Sequence, residues 1–352
     1  MAEIVIRLLG KDDIQQVNAL YQRAYQIDRS NEKFKWEFQQ GPAGPAVYIV
    51  AVDPETNRVV GTQCAIPLYV TNASGERILT AKSEDTLVDP NYRGRSIFEK
   101  MYALLFDECR KAGIVAIWGF TYAIKPFHKL GFDIPFRSDF GLIAFNFTGA
   151  YKYFNALKDK RSAVEKIKIA GLVTASRLKY MFRIGSAATD GYKMSKDVQV
   201  SLEDLTPSHS DVFFLLHDSK FLGWRLRDNP YPNTHHYYSL VDDSGKQTGS
   251  VICSQSRDIA YIMHVFFARE LNEQTREHFL NAVIGDLSRK TKVLRFWGFT
   301  HNEAGRREID LLKKSGFVFT NQGISFVWKK LDETSSLNVN NFALSRMASQ
   351  GT

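Results

Sequence analysis

The sequence predicts an α/β fold of mixed sheets and helices that occurs twice along the chain, and three observations carry that expectation. First, Trp118-Gly119-Phe120-Thr121 recurs as Trp297-Gly298-Phe299-Thr300. Each copy closes an apolar, strand-like run and is followed by a Gly-Phe pair, Gly131-Phe132 or Gly316-Phe317. Second, "KFKWEFQQGP" from Lys33 resembles "KFLGWRLRDNP" from Lys220, with a Pro six residues after the Trp in both. Third, two strand-like runs around a turn follow each of these segments, with Asp53-Pro54 and Asp243-Ser244-Gly245 supplying the turn chemistry. The landmarks keep their order at similar intervals, 82 residues from Trp36 to Trp118 and 73 from Trp224 to Trp297, which indicates a duplicated unit.

Within the first copy the elements follow from periodicity. "EIVIRLL" reads as a strand. "KDDIQQVNALYQRAY" is an amphipathic helix with Ile14, Val17, Leu20 and Tyr21 on one face. Strands are expected around 47–53, 58–70 and 78–88. The helix "SIFEKMYALLFDECRKAG" comes next, presents Ile97, Met101, Leu104 and Leu105, and stops at Gly113. "IVAIWGF" is a buried strand, and "KPFHKLGF" is a short helix turning at a Gly into another strand. Hairpins combined with a strand-helix-strand unit give a mixed sheet. The boundaries expected are 1–148 for the first domain, 149–197 for a basic helical connector, 198–333 for the second domain and 334–352 for a polar, partly ordered tail.

Composition narrows the function classes. The 352 residues suffice for two domains of ordinary size. No leader-like N-terminus and no run of roughly 20 apolar residues stands out. Cys64, Cys109 and Cys253 are odd in number and widely spaced, which fits buried thiols in a reducing cytoplasm better than a disulfide framework or a metal site. The net charge of +8 is local: residues 151–196 hold eleven Lys or Arg against three Asp or Glu. A basic segment on an otherwise near-neutral chain argues against nucleic-acid binding. The segment reads as a solvated helical face, with weak contact to an anionic membrane surface through 151–185, or an acidic partner, as the alternatives.

"TLVDPNYRGRSIFEKMYALL" carries the chemistry. A strand ends at Val88, Asp89-Pro90 breaks it, and Arg93-Gly94-Arg95-Ser96 leads directly into a helix. Backbone N–H groups and the positive end of the helix dipole then converge on one spot. Gly94 permits close approach of an anion, and Arg93 and Arg95 add charge. Neither the Lys-Ser/Thr ending of an ATP loop nor a dinucleotide glycine fingerprint is present.

Strand, "V-x-P-x-Y-R-G-R", helix, strand and a closing "K-x-G-F" resemble the acyl-CoA-binding core of GNAT-superfamily N-acetyltransferases, over residues 1 to about 145. The "R-G-x-x-I-F" form is similar to members found among bacterial surface-polysaccharide and amino-sugar acyltransferases. The resemblance implies two GNAT-like folds in tandem and acetyl-CoA as co-substrate, with no metal. It places the pyrophosphate loop at Arg93, Gly94, Arg95, Ser96, Ile97 and Phe98. Ser96 and Phe98 stand where the family has small residues, Gly and Gly or Ala.

The resemblance also implies direct attack by an acceptor amine on the thioester. An oxyanion would be met by backbone N–H at Leu87 and Val88, and the ammonium proton would be taken by a base or water relay. Glu84 and Asp85 are the candidate bases, expected on opposite faces of their strand, with Glu84 favoured. The family's acid, a Tyr four residues before the closing Gly, is replaced by Phe127, which leaves His128 and Tyr122 as substitutes. In the second copy the corresponding connection, "YIMHVFFARELNEQTREHFL", has neither the Gly nor the paired Arg and brings Glu270 and Glu273 instead. It is expected to have lost its cofactor loop. Asp211, His217 and Asp218, and the pair His235-His236, lack metal-site spacing.

The function expected is an acetyl-CoA-dependent N-acetyltransferase with CoA on the first half and a small-molecule amine, such as an amino-sugar, bound between the halves. The alternatives are a non-catalytic acyl-CoA-binding protein of the same fold and a membrane-peripheral acyltransferase using longer chains.

Overall fold

The computed structural model describes residues 3–158, 160–182, 192–196, 212–320 and 323–348. In chain order the first stretch contains β1 (Val5–Leu8), α1 (Ile14–Tyr25), α2 (Asn31–Phe38), β2 (Val47–Asp53), β3 (Arg58–Thr71), β4 (Arg77–Val88), α3 (Ile97–Lys111), β5 (Ala116–Thr121) and α4 (Ile124–Lys129). Then come β6 (Asp139–Ala144), α5 (Phe147–Ala156), α6 (Ala163–Met181), β7 (Tyr192–Lys196), β8 (Phe214–Leu215) and α7 (Ser219–Leu222), which runs into a π-type turn at Gly223–Arg227. The remainder is β9 (Thr234–Asp242), β10 (Gln247–Ser256), β11 (Ile259–Phe267), α8 (Glu273–Leu287), β12 (Val293–Gly298), α9 (Glu303–Lys314), β13 (Val318–Thr320) and β14 (Ser325–Lys330).

These elements form two compact units, each built around one mixed sheet. The first comprises Met1–Phe136, Asp211–Tyr231 and Ile324–Phe342, and the second Arg137–Ser210, Pro232–Gly323 and Ala343–Thr352. Strand order is β1-β2-β3-β4-β5-β14 in the first, with β8 added to β3, and β13-β6-β12-β11-β10-β9-β7 in the second. Among the named strands of the described residues, the parallel pairing in each sheet is β4 with β5, and β11 with β12. The duplication is therefore visible as topology: β2 to β5 are repeated by β9 to β12.

The linear domain boundaries need correction. Each strand carrying the repeated tetrapeptide takes its outer neighbour from the other half of the sequence: β14 pairs with β5, and β6 pairs with β12. Without that neighbour the strand would expose a row of unpaired backbone groups. The expected tail is also structured as far as residue 348. Leu337 and Phe342 are fully buried, and Asn338 caps the short turn Val339–Asn341, so its polar residues serve as turn caps. Phe342 packs on Trp118 of β5 at 5.4 Å between ring centroids. The helices expected as a connector pack on the second unit's sheet, where Ala150 and Val173 meet Leu142, Ala144 and Val293.

The first unit has a core on each face of its sheet. On one face α3 turns Ile97, Met101, Leu105 and Cys109 onto Ile49, Ala65, Ala81 and Ile117. On the other, α1 and α2 bring Val17, Leu20, Phe34 and Phe38 against Tyr48, Val50, Cys64 and Leu87. The second landmark pair meets inside this unit. The Trp36 and Trp224 rings stack at 5.2 Å, and each indole N–H donates to the other residue's carbonyl at 2.8 Å. Equivalent residues of the two copies thus satisfy each other's buried polar groups.

Candidate active site

Strand β4 of the first unit breaks its own regularity. β4 pairs with β3 along most of its length, but the register slips between Thr62 and Cys64, which face Leu87 and Glu84. The extra residue is a bulge at Asp85, whose φ is +51°, in the left-handed region that a non-Gly residue adopts at a cost of roughly 1–2 kcal/mol. Side-chain bonds hold it. Thr62 Oγ1 donates to the Asp85 carbonyl at 2.8 Å, Gln63 Nε2 donates to Ser83 Oγ at 3.0 Å, and Thr86 donates to Gln63 Oε1. Ser83 Oγ is in turn hydrogen-bonded to the buried Tyr102 hydroxyl of α3 at 2.8 Å.

On the opposite edge of β4 the parallel ladder with β5 registers only Ala81↔Ile117 and Lys82↔Trp118 and then stops. Gly119 marks the last close approach: a Cβ there would sit 3.1 Å from the Ser83 carbonyl oxygen. Beyond it, among the described residues, no strand pairs with this edge of β4. The Asp89 N–H donates to Val60 on β3 at 2.9 Å, so strand alternation turns the Val88 N–H towards the open edge. Leu87 places its side chain in the core under α1 and α2 and by the same alternation turns its N–H towards β3.

The loop follows at once. Pro90–Tyr92 forms a short turn, with the Asp89 carboxylate accepting from Asn91 N, and the Tyr92 hydroxyl reaches Asp53 of β2 at 2.6 Å. Gly94 has φ +78° with open space where a side chain would stand. Ser96 has φ +55° and gives no side-chain cap, so the first-turn amides of α3 lack both an intrahelical partner and a capping oxygen. Arg93, Gly94, Arg95 and Ser96 are all exposed, and among the described residues neither arginine forms an ion pair; Arg95 lies over the Tyr92 ring at 4.9 Å. Ile97 is buried under the helix, and Phe98 turns inward onto Tyr102 and Phe127 at 4.9 and 5.8 Å. Two exposed cations, a left-handed loop and an uncapped helix start fit a pyrophosphate, and the bulk of Phe98 is directed away from it.

The candidate bases are placed differently from the strand-alternation expectation. Glu84 and Asp85 lie on the same face of β4, the one covered by α1 and α2, because the bulge cancels one step of alternation. Asp85 is locked there: its carboxylate meets Arg29 at 2.9 Å, accepts from the Tyr48 hydroxyl, and both charged side chains are 3 % exposed. Arg29 is itself bound to Asn18 and lies over the Tyr21 ring at 4.2 Å. Glu84 is 28 % exposed and accepts from Lys82 at 2.9 Å. Of the two, Glu84 is the accessible carboxylate.

Sequence reasoning missed Glu37 on α2. Burial and then the Glu84 and Asp85 carboxylates push its pKa up to about 8, so it carries a proton at neutral pH. Its helix was read for its Trp-Pro spacing, and nothing in the local pattern brings it to two carboxylates that are 47 and 48 positions away.

The candidate acids are dispersed. Tyr122 is 71 % exposed just past β5, and His128 is exposed on α4. Phe127, at the family's Tyr position, is buried against Tyr102 and Phe132. Of the remaining polar clusters, Asp211 lies outside the described residues. Asp218 caps α7 by accepting from Phe221 N at 2.9 Å, and His236 Nε2 is 2.8 Å from Gln255 Oε1.

In the second unit β11 keeps a bulge against β10, between Ile252 and Cys253, but its helix start is closed. The Asn272 side chain caps α8 by accepting from Thr275 N at 2.8 Å, Glu273 pairs with Lys314, and Glu270 pairs with Lys246 at 3.5 Å. A start capped by a side chain and flanked by carboxylates is a weaker anion site than the uncapped start of α3.

Residues 5–134 match the family model described as acetyltransferase (GNAT) domain. No curated protein matches the sequence. Among solved structures, a probable N-acyltransferase from Enterococcus faecalis V583 is similar with a TM-score of 0.63 at 13 % identity, over 94 % of this chain and 73 % of that one. A tandem GNAT protein from the clavulanic acid biosynthesis pathway gives a TM-score of 0.57 at 13 % identity, over 95 % of this chain and 100 % of that one. N-myristoyltransferase of Saccharomyces cerevisiae with bound myristoyl-CoA gives 0.59 at 12 % identity, over 98 % and 85 %. Over residues 5–134 the sequence thus matches a GNAT acetyltransferase domain, and the fold of the chain is that of two GNAT-type mixed sheets in tandem.

Proposed function

We propose that the first unit transfers an acyl group from acetyl-CoA to a primary amine. One conjunction carries this reading: the open edge of β4 beyond Gly119 lies on the strand that runs directly into the uncapped, doubly arginine-flanked start of α3. In this reading Arg93, Arg95 and the first-turn amides of α3 hold the pyrophosphate. The Val88 N–H stabilises the negative charge that develops on the carbonyl oxygen. Acetyl-CoA supplies the activated acyl group as a thioester.

Glu84 takes the ammonium proton of the acceptor, directly or through water, and Lys82 holds its carboxylate in place. Asp85 serves by position, anchoring the bulge through Arg29. A thiolate leaves without an acid, which agrees with the buried Phe127. An amino-sugar is the acceptor class we put first, ahead of peptides and polyamines.

A screen of amines with acetyl-CoA, read as thiol release, tests this. Release with at least one amine is expected, and Glu84→Gln should lower the rate by about a hundredfold or more. Ser96, at a position where the family has Gly, favours the second reading, a non-catalytic acyl-CoA-binding protein, and that reading is selected if CoA binds but no amine releases thiol.

A further inference from the structure

Helix α6 is apolar on two opposite faces. Val173 and Ser176 are buried and Ile169 and Leu172 half-buried, which fixes the face turned to the second unit's sheet. At about 100° per residue, Val164, Ile167, Leu178 and Met181 fall on the opposite side, and Phe182 extends that row. This outer row is in solvent: Ile167 is 71 % exposed, Met181 59 % and Phe182 86 %. Scattered exposed apolar residues need no explanation, but here they gather at both ends of one side of a 19-residue helix, Val164 and Ile167 at its start and Leu178, Met181 and Phe182 at its end, with Gly171, Thr174 and Ala175 between them.

The charges around the row are of one sign. Lys166 and Lys168 flank it on either side at roughly a quarter turn, and Lys160 precedes the helix. All three are exposed, and none forms an ion pair among the described residues. Arg161 and Arg177 are held inward by the Phe154 and Phe145 carbonyls. The single acid in 160–182 is Glu165, which is occupied by Lys158 and by capping Ser162 N. The outer side of the helix is therefore apolar at both ends, with lysines beside its N-terminal end, and the one carboxylate of the helix is already engaged and so unavailable to complement another copy.

We propose that this outer face of α6 docks on an anionic lipid surface. The apolar row would enter the headgroup–acyl boundary with the helix lying in the plane, while the lysine stems reach up to acidic headgroups. No helix among the described residues is long and apolar enough to cross a membrane, so the contact is peripheral. Like charge on the flanks disfavours pairing of two such faces. The proposal stands independently of acyl transfer.

Co-sedimentation of the full chain with vesicles tests it. Vesicles of phosphatidylcholine with phosphatidylglycerol should bind about tenfold more protein than phosphatidylcholine alone at low salt, and molar salt should remove most of the difference. Ile167→Asp with Leu178→Asp, and separately Lys166→Glu with Lys168→Glu, should each abolish the gain. Both pairs lie on solvent-exposed positions, and circular dichroism would confirm that the variants fold. Equal binding to neutral and anionic vesicles, or binding unchanged in either variant, overturns the proposal. So does a dimer in solution that Ile167→Asp dissociates while vesicles bind nothing, since the face is then an interface between copies.

Discussion

At the scale of single residues, two adjacent carboxylates with different surroundings make the sharpest contrast. Asp85 is a buried partner of Arg29, and removing its charge leaves a guanidinium uncompensated. Asp85→Asn should therefore cost about 3 kcal/mol of stability in urea unfolding. Glu84 is the more exposed carboxylate, but its partner Lys82 is buried, so Glu84→Gln should cost about 1–3 kcal/mol, less than Asp85→Asn, while lowering turnover by about a hundredfold. If the two substitutions affect stability equally, this division of roles is wrong. Glu37 adds a pH dependence. Its folded pKa, about 8, lies above its unfolded value near 4.5, so the folded state binds more protons between the two. Stability should fall as pH rises through that window, and Glu37→Gln should flatten the profile. Ser96 holds a left-handed conformation that suits Gly, so Ser96→Gly should raise stability by up to about 1 kcal/mol.

Secondary-structure elements show where sequence reading succeeded and where it failed. The helix from Ile97 and the strand to Val88 were legible because periodicity, a Pro break and a terminal Gly all act within a few residues. The face of Asp85 was not, because a bulge is set by pairing with Thr62 and Cys64 on a neighbouring strand. Phe98 stands at a small-residue position of the family, and only its packing on Tyr102 and Phe127 shows that it turns inward. The Trp36 and Trp224 segments were recognised as copies, but their reciprocal hydrogen bonds could not be read from two separate stretches of sequence. Trp224→Phe keeps most of the ring but removes the N–H that Trp36's carbonyl accepts. It should destabilise the first unit by about 1–3 kcal/mol, measured by thermal unfolding. No measurable change would mean that the pair contributes only its shape.

Over the whole chain, the duplication was legible and the exchange of strands was not. Recurrence of the tetrapeptide announces two similar sheets, but β6 and β14 carry no mark of the sheet they join. That exchange makes a simple cut impossible: a chain ending at residue 323 lacks β14 and Phe342 and leaves β5 as an open edge. Such a fragment should aggregate or unfold, although it retains the whole 5–134 match. The repeated tetrapeptides therefore mark a shared fold, while the chemistry is expected at one of them. The central claim is that the loop from Arg93 to Phe98 binds the pyrophosphate of an acyl-CoA. Titration calorimetry of the full chain with acetyl-CoA tests it most directly. The account predicts one site per chain in the wild type and its loss in a folded Gly94→Glu variant, whose side chain would put a carboxylate at the start of α3. No binding at millimolar acetyl-CoA, or binding undiminished in that variant, would contradict it.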